Sequence, residues 1–313
     1  MQKLRNSTCL EQAEKALSRI EEKAREYSHL IESFLNQAGE DLYITYAGLG
    51  YLPASVLYWY LNIVSSDLRC VIGEVEEISL HLLPYRERGS LIIFSTEEYS
   101  KLISALQVVR VLNYNYLAFA PTPLDERLRA LLKHYNVNTY NAVNSVEASL
   151  LMSLSVFHAL ARKYRSSLQS RGLRLAKHSK EGFAPVLSSL VENYRGVLEE
   201  IAESREPITV LSSKFLEPAT LTLVYAFRKH NLPVHYTPVE LSEKAEKTLL
   251  VLSSVEDRIR REYKSRSPHA TLELVLNTDP LEAGIYIAML SYYLLTPCSS
   301  ERAAQRAEHE IQC

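Results

Sequence analysis

The sequence lacks any long uninterrupted apolar run, although 47% of its 313 residues are hydrophobic. A membrane-spanning helix needs about 18–20 consecutive apolar residues, and the longest apolar segments here are broken by Ser, Tyr or Asn. An excess of one charge is also missing, since the formal net charge is -2. We therefore expect neither a membrane nor a nucleic-acid partner. The N-terminal segment has an amphipathic pattern without a signal-peptide core, which predicts a cytoplasmic protein.

Cysteine and glycine are scarce. The four cysteines, Cys9, Cys70, Cys298 and Cys313, are far apart and form no CxxC or Cys/His cluster. This spacing predicts neither a metal site nor a disulfide framework, and we expect no cofactor. The nine glycines leave few positions where the backbone could approach a ligand closely.

Strands and helices alternate along most of the chain after a leading helix over 9–37. The period of the apolar residues predicts strands over 41–46, 68–73, 91–94, 116–120, 136–140, 208–211, 234–236, 248–252 and 271–275. Helices of similar length separate most of them, which predicts an α/β protein with parallel sheets covered on both faces. We expect an N-terminal domain over 1–165, a helical crossover over 166–205, a C-terminal domain over 206–298 and a polar tail over 299–313.

The turn after the third predicted strand carries hydroxyls at Ser95, Thr96 and Ser100 just before a helix. A strand end, a hydroxyl-bearing turn and a helix N-terminus together favour phosphate, because free backbone N–H groups and the helix dipole point at the anion. The middle of this turn, however, is Glu97-Glu98. Two carboxylates within ~6 Å of a phosphate dianion would cost several kcal/mol unless lysines compensate.

Three motifs follow one another in an order that resembles the sugar isomerase (SIS) fold. The first strand leads into a turn with Gly48 and Gly50, the third into the Ser/Thr turn, and the fifth into Asn144-Ser-Val-Glu147. Two such units in tandem, with a helical crossover and a shorter second half, are similar to the archaeal bifunctional phosphoglucose/phosphomannose isomerases. The resemblance covers about residues 40–295. It implies two SIS-like, flavodoxin-like three-layer α/β/α domains with mainly parallel sheets, and a homodimer.

The same resemblance implies a ligand site in the N-terminal domain. In that family a Ser-x-Ser-Gly-x-Thr turn holds the sugar phosphate, and the residues here are Ser-Thr-Glu-Glu-Tyr-Ser. The implied ligand contacts are Gly48, Gly50, Ser95, Thr96 and Ser100. A glutamate at the start of the domain-closing helix acts as proton-transfer base in several members, and Glu147 is the matching residue. An alternative is plain helix capping, with Ser145 as the N-cap and acids in the first turn.

The second domain departs from the family pattern. Ser212, Ser213 and Lys214 follow a strand and precede a helix, so they are either a second anion site or an ordinary capping turn. The bifunctional isomerases place a catalytic Glu on the helix that follows and a ring-opening His after the next strand. Here the central and later positions of that helix are apolar or aromatic, and the segment after the strand carries Glu240 but no His.

Two further features stand outside these motifs. His158 lies on the apolar face of a predicted helix, which favours a packing role. Residues 171–180 form a basic patch of Arg171, Arg174, Lys177 and Lys180, which either meets a phosphate or an acidic partner or is a solvated face.

Two hypotheses follow. In the first, the protein binds a sugar phosphate in the cleft between its domains and acts as an aldose–ketose isomerase of the glucose/mannose-6-phosphate type. In the second, it is a non-catalytic SIS paralogue that serves as a regulatory or assembly protein. The two glutamates of the turn and the missing second-domain Glu and His favour the second hypothesis.

Overall fold

A computed structural model describes residues 7–65, 67–86, 88–167, 169–242, 247–266 and 271–297. The strands are β1 (Asp41–Ala47), β2 (Arg69–Glu74), β3 (Ser90–Ser95), β4 (Asn115–Pro121), β5 (Asn138–Tyr140), β6 (Ile208–Ser212), β7 (Val234–Pro238), β8 (Thr248–Ser253) and β9 (Thr271–Leu276). The α-helices are α1 (Ser7–Gln37), α2 (Tyr51–Val64), α3 (Tyr99–Val111), α4 (Glu126–His134), α5 (Ser145–Lys163), α6 (Gln169–Glu181), α7 (Leu187–Glu203), α8 (Glu217–Lys229), α9 (Asp257–Arg266) and α10 (Pro280–Leu295). The predicted polar tail over 299–313 lies outside the described residues.

The chain divides into two compact units. The five-stranded unit comprises residues 21–181, and the four-stranded unit comprises residues 1–20 and 182–313. The predicted domain boundaries at 165 and 205 are not tested by this division and stay a prediction. Within the described residues, no helix is both long and apolar enough to cross a membrane.

The five-stranded unit is built on a parallel sheet in the order β2-β1-β3-β4-β5. All six residues of β3 are buried, as expected for a central strand covered on both faces. Leu91 and Ile93 pack toward α3 and α4, in a cluster with Leu106 and Leu132. On the opposite face Phe94 stacks on Phe119, with ring centroids 5.8 Å apart. The predicted α/β class with parallel sheets is confirmed.

The four-stranded unit has a parallel sheet in the order β7-β6-β8-β9. Leu211, Leu250 and Leu252 form one core cluster with Tyr263 of α9. The helices α8 and α10 pack against each other. This sheet has the order of the first four strands of the other unit. Among the described residues it has no counterpart of β5, and α10 follows β9 directly.

Two details differ from the sequence-based expectations. The segment 171–180, for which a solvated face was one alternative, is not wholly solvated, because Gly172, Leu175 and Ser179 on one face of α6 are buried and α6 packs against α5. Cys9 is disulfide-bonded, which the scattered cysteine spacing did not indicate.

A buried polar cluster joins α1, α5 and α6 inside the five-stranded unit. His158 is 2% exposed and lies between Ser179 and Glu21. Its Nδ1 is 2.7 Å from the Ser179 hydroxyl, and its Nε2 is 3.2 Å from the Glu21 carboxylate. Burial lowers the pKa of His158, and the Glu21 carboxylate opposes this shift while Arg25 and Arg162 reinforce it. His158 therefore has the predicted packing role and is held neutral by desolvation.

The first prediction concerns the pH dependence of stability. Because the folded pKa of His158 lies below its ordinary value of 6.5, the unfolded chain binds the proton more readily in the window just below pH 6.5. The free energy of unfolding should therefore fall as the pH drops below 6.5, and His158→Gln should make this fall shallower. Urea unfolding at a series of pH values measures both slopes. The exposed His81 gives the control His81→Gln, which should keep the wild-type slope; equal slopes for all three proteins would contradict the assignment.

Candidate functional site

The predicted ligand residues of the five-stranded unit lie at the carboxyl edge of its sheet. β1 and β3 pair in parallel with Ala47 opposite Ser95, so the turns that follow the two strands leave the sheet side by side. The Ser149 hydroxyl of α5 donates a 2.8 Å hydrogen bond to the Leu49 carbonyl, which holds the start of α5 against the first turn. The structure thus brings together three of the predicted motifs: the first turn, the third turn and the helix start at Glu147.

Gly48 and Gly50 allow the first turn to touch the third. A Cβ at Gly50 would lie 2.1 Å from the Phe94 carbonyl oxygen, and one at Gly48 would lie 2.9 Å from the Thr96 hydroxyl. Gly48 also has a φ of +61°, a conformation that residues with a side chain rarely adopt. These glycines therefore have a packing role, and their contact with a ligand stays a prediction.

The two glutamates of the third turn differ in their exposure to solvent. Glu97 is exposed, and Glu98 is partly buried. The Lys101 ammonium lies 2.9 Å from the Glu98 carboxylate and 2.7 Å from that of Glu74, at the end of β2. These hydrogen bonds raise the pKa of Lys101. One lysine thus neutralises part of the negative charge that the sequence places in this turn.

The hydroxyls of the third turn differ in their hydrogen bonding. The Ser95 hydroxyl is buried, and no described residue is a hydrogen-bond partner for it. Thr96 is also buried and donates a long 3.4 Å bond to the Ala47 carbonyl, whereas Ser100 is exposed. The Tyr140 hydroxyl at the end of β5 donates to the Ser95 carbonyl at 3.0 Å. No side chain caps α3. The Tyr99 N–H donates to the Glu97 carbonyl at 3.0 Å, so an anion at this helix start would be bound by the Ser100 and Lys101 N–H groups.

Glu147 lies in the first turn of α5. The cap is Asn144, whose side chain accepts a 2.9 Å hydrogen bond from the Glu147 backbone N–H. The expectation that Ser145 is the N-cap is therefore wrong, because the helix begins at Ser145 itself, one residue earlier than a Ser145 cap requires. Burial raises the pKa of the Glu147 carboxyl, while the Val143 backbone and Lys23 act in the opposite direction.

The hydroxyl of Ser145 is buried, and no hydrogen-bond partner for it exists among the described residues. Ser145 begins α5 at the carboxyl edge, as Ser95 ends β3 there. Buried hydroxyls are nearly always paired in folded proteins, so two orphans at the same edge mark a place where a ligand group could supply the missing bonds.

In the four-stranded unit, Ser212, Ser213 and Lys214 form the turn between β6 and α8. The buried Ser212 hydroxyl donates to the Ser213 carbonyl at 3.2 Å, and the Ser213 hydroxyl accepts a 3.4 Å bond from the Leu216 N–H. Lys214 is exposed. Both hydroxyls thus have partners within the turn, which favours the capping alternative; their contact with a ligand stays a prediction.

A carboxylate that the sequence reasoning missed is Glu282. It is completely buried in the first turn of α10 and accepts a 2.9 Å hydrogen bond from the Thr278 hydroxyl. Asp279 caps α10 as Asn144 caps α5, and the glutamate follows three residues later in both helices. The repeated spacing of cap and glutamate at the two domain-closing helices was the signal available in the sequence.

On α8 and in the described segment after β7, the structure has no counterpart of the second-domain Glu and His that the resemblance implied. The central and later positions of α8 include Val224 and Phe227, both buried apolar residues. Glu240 lies in the short helical turn after β7. In the part of the chain that the structure describes, no group of three or more His, Cys, Asp or Glu side chains could hold a metal ion.

Comparison with solved structures identifies the fold. A candidate phosphosugar isomerase from Bacillus subtilis superposes with a TM-score of 0.63 at 9% identity, covering 91% of this chain and 95% of that one. Tagatose-6-phosphate ketose/aldose isomerase from Escherichia coli gives a TM-score of 0.58 at 11% identity, with coverages of 94% and 91%. The C-terminal domain of glucosamine-fructose-6-phosphate aminotransferase from Francisella tularensis gives 0.56 at 13%, with coverages of 91% and 93%.

The chain has the fold of these phosphosugar proteins. The resemblance to the SIS fold is thus confirmed at the level of the fold, over nearly the whole length of each chain. No protein-family model matches the sequence, and no curated protein matches it either.

The second prediction tests the packing role of Gly50. Gly50→Ala should lower the free energy of unfolding by about 1–3 kcal/mol, because the new methyl group would overlap a backbone carbonyl of β3 that cannot rotate away. Gly196→Ala is the matched control, since the same Cβ on α7 meets nothing within 4 Å and should stabilise the helix by about 0.5–1 kcal/mol. Chemical denaturation measures both, and a Gly50→Ala protein as stable as wild type would disprove the close approach.

Proposed function

We propose that the protein binds a sugar phosphate at the carboxyl edge of the five-stranded unit and acts on it as an aldose–ketose isomerase, in the cytoplasm and as a homodimer. Phosphate would contact the N-terminus of α3 and the hydroxyls of Ser95, Thr96 and Ser100. Gly48 and Gly50 would line the same site. The structures with this fold that are named for phosphosugar chemistry support the ligand class.

The observation that carries the proposal is the pair of orphan hydroxyls at one edge. Ser95 and Ser145 are 1% and 2% exposed, respectively, and neither hydroxyl has a hydrogen-bond partner among the described residues. An unsatisfied buried hydroxyl costs about 1–3 kcal/mol. The buried hydroxyls of Ser79, Thr220 and Tyr263 also have no hydrogen-bond partner among the described residues, so the support for a ligand comes from the position of Ser95 and Ser145 at one edge of the sheet.

Glu147 is the proposed base. Aldose–ketose isomerisation moves a proton between C1 and C2 of the sugar, which needs a carboxylate or another base within hydrogen-bond reach. Burial raises the pKa of the Glu147 carboxyl from its ordinary value, which makes it a stronger base than an exposed glutamate. Asn144 supplies the side-chain cap, so α5 keeps that cap when the Glu147 carboxylate is engaged elsewhere.

A second candidate function is binding without turnover, as a regulatory or assembly protein. It is favoured by the apolar residues of α8 and by the absence of a histidine after β7, between Thr237 and Ser242. A protein that lacks a second acid/base cannot open the sugar ring efficiently. Such a protein would keep the sugar-phosphate site and lose the chemistry.

The third prediction separates the two functions. Incubation with fructose 6-phosphate should yield glucose 6-phosphate or mannose 6-phosphate, and Glu147→Gln should reduce this rate by at least about a hundredfold while leaving ligand binding intact. The control Glu126→Gln changes an exposed first-turn carboxylate of α4 and should keep the wild-type rate. Binding without product would select the non-catalytic function. If hexose phosphates neither react nor raise the unfolding temperature, the proposed function is wrong.

The fourth prediction concerns the orphan hydroxyls. Ser95→Ala and Ser145→Ala should leave the ligand-free protein as stable as wild type or more so, because each removes an unsatisfied buried group. Each should nevertheless weaken the binding of fructose 6-phosphate. Ser149→Ala is the matched control on α5, since its hydroxyl is bonded to Leu49 and its loss should destabilise the protein. Calorimetry measures the stability and affinity of each variant; unchanged affinity in both orphan variants would remove the main support for the site.

A further inference from the structure

A pocket lies in the five-stranded unit, lined by residues of α1, α5, the turn after α5, and α6. Its volume is about 480 Å³, which is within the range of small-molecule sites. Five cationic side chains line it: Arg25, Arg162, Arg165, Lys177 and Lys180. Among the described residues, no carboxylate belongs to the lining. The pocket has no residue in common with the carboxyl-edge site.

Two of the arginines are fixed by hydrogen bonds. Arg25 donates to the Ser179 carbonyl at 2.7 Å and contacts the buried Glu21 carboxylate at 3.4 Å. Arg162 contacts Glu32 through its Nε at 2.7 Å and through a terminal nitrogen at 2.5 Å. Guanidinium groups held in this way lose little side-chain entropy when an anion binds.

The cationic side chains that line the pocket outnumber the carboxylates that pair with them. Three carboxylates pair with lining cations, namely Glu21 with Arg25, Glu32 with Arg162, and Glu181 with Lys177 at 3.5 Å. Arg165 and Lys180 form no ion pair with a described residue, so five cations face three carboxylates. Arg165 and Lys180 are both exposed, so salt screens the field of these two uncompensated charges.

The lining also contains groups that suit an organic anion. Leu173 and Ala176 supply apolar surface, whereas His158 and Ser179, which also line the pocket, are hydrogen-bonded to each other. Arginine forks match phosphate oxygens bidentately, and a lone inorganic phosphate would fill only a small part of this volume.

We propose that this pocket is a second ligand site, which binds a small organic phosphate with its phosphoryl group against the arginines and its carbon body against Leu173 and Ala176. It accounts for half of the basic patch seen in the sequence, because Lys177 and Lys180 line the pocket while Arg171 and Arg174 do not. The inference is independent of the proposed sugar-phosphate site.

The fifth prediction tests this pocket with phenyl phosphate as the probe in titration calorimetry. Phenyl phosphate should bind the wild-type protein saturably and more tightly than inorganic phosphate, because the apolar wall contacts the ring. The double variant Arg165→Gln with Lys180→Gln removes the two uncompensated charges. It should bind phenyl phosphate at least about tenfold more weakly with an unchanged unfolding temperature, since neither side chain has an ion-pair partner to lose among the described residues.

The control is Arg171→Gln with Arg174→Gln, which removes the same charge from the same segment outside the pocket. It should alter the affinity for phenyl phosphate by no more than about twofold. Equal weakening in the two double variants would mean that general charge attraction, rather than the pocket, binds the probe. Unchanged binding in the Arg165/Lys180 variant would place the probe elsewhere, including at the turn between β3 and α3. Either result, or no saturable binding to wild type, overturns the proposal.

Discussion

The parallel pairing of β1 with β3 is the constraint on which the candidate site depends. It makes both strands end at one edge, with Ala47 opposite Ser95, so the two turns must share a small space. Gly50 makes this possible, because any side chain there would overlap the Phe94 carbonyl. Polar groups collected at the carboxyl edge of a parallel sheet are the usual site of ligand binding in such folds. The chemistry of the edge is therefore a consequence of strand direction and of one close backbone approach.

Most of the helices and strands could be predicted from the sequence, because apolar periodicity is a local property. The charge balance of the third turn could not be predicted from the sequence. Glu98 is compensated by Lys101, three residues later in the chain, but that lysine is shared with Glu74 of β2. The sequence also could not show whether Asn144 or Ser145 is the helix cap, because both residue types cap well. The basic pocket was visible only in part, because Arg25 lies far away in the chain.

The two domain-closing helices show how one local pattern can acquire different environments. Each begins with a capping Asn or Asp followed three residues later by Glu. Glu147 is partly exposed at the edge of its sheet, whereas Glu282 is completely buried and bonded to Thr278. A carboxylate that can meet a ligand must keep some access to solvent. Of the two, only Glu147 has that access in the described structure, and the pattern alone could not separate them.

The two proposed anion sites differ in the sign of their surrounding charge. At the third turn the carboxylates of Glu74, Glu97 and Glu98 outnumber the single Lys101, whereas the pocket among α1, α5 and α6 has a positive excess. A phosphate at the turn would therefore be held by aimed hydroxyl and N–H donors, whose strength depends on geometry. A phosphate in the pocket is attracted by net charge, which salt screens. The excess of carboxylates also penalises a dianion more than a monoanion, so the turn should favour the singly charged form of a phosphate ester, and binding there should strengthen as the pH falls toward the second phosphate pKa of about 6.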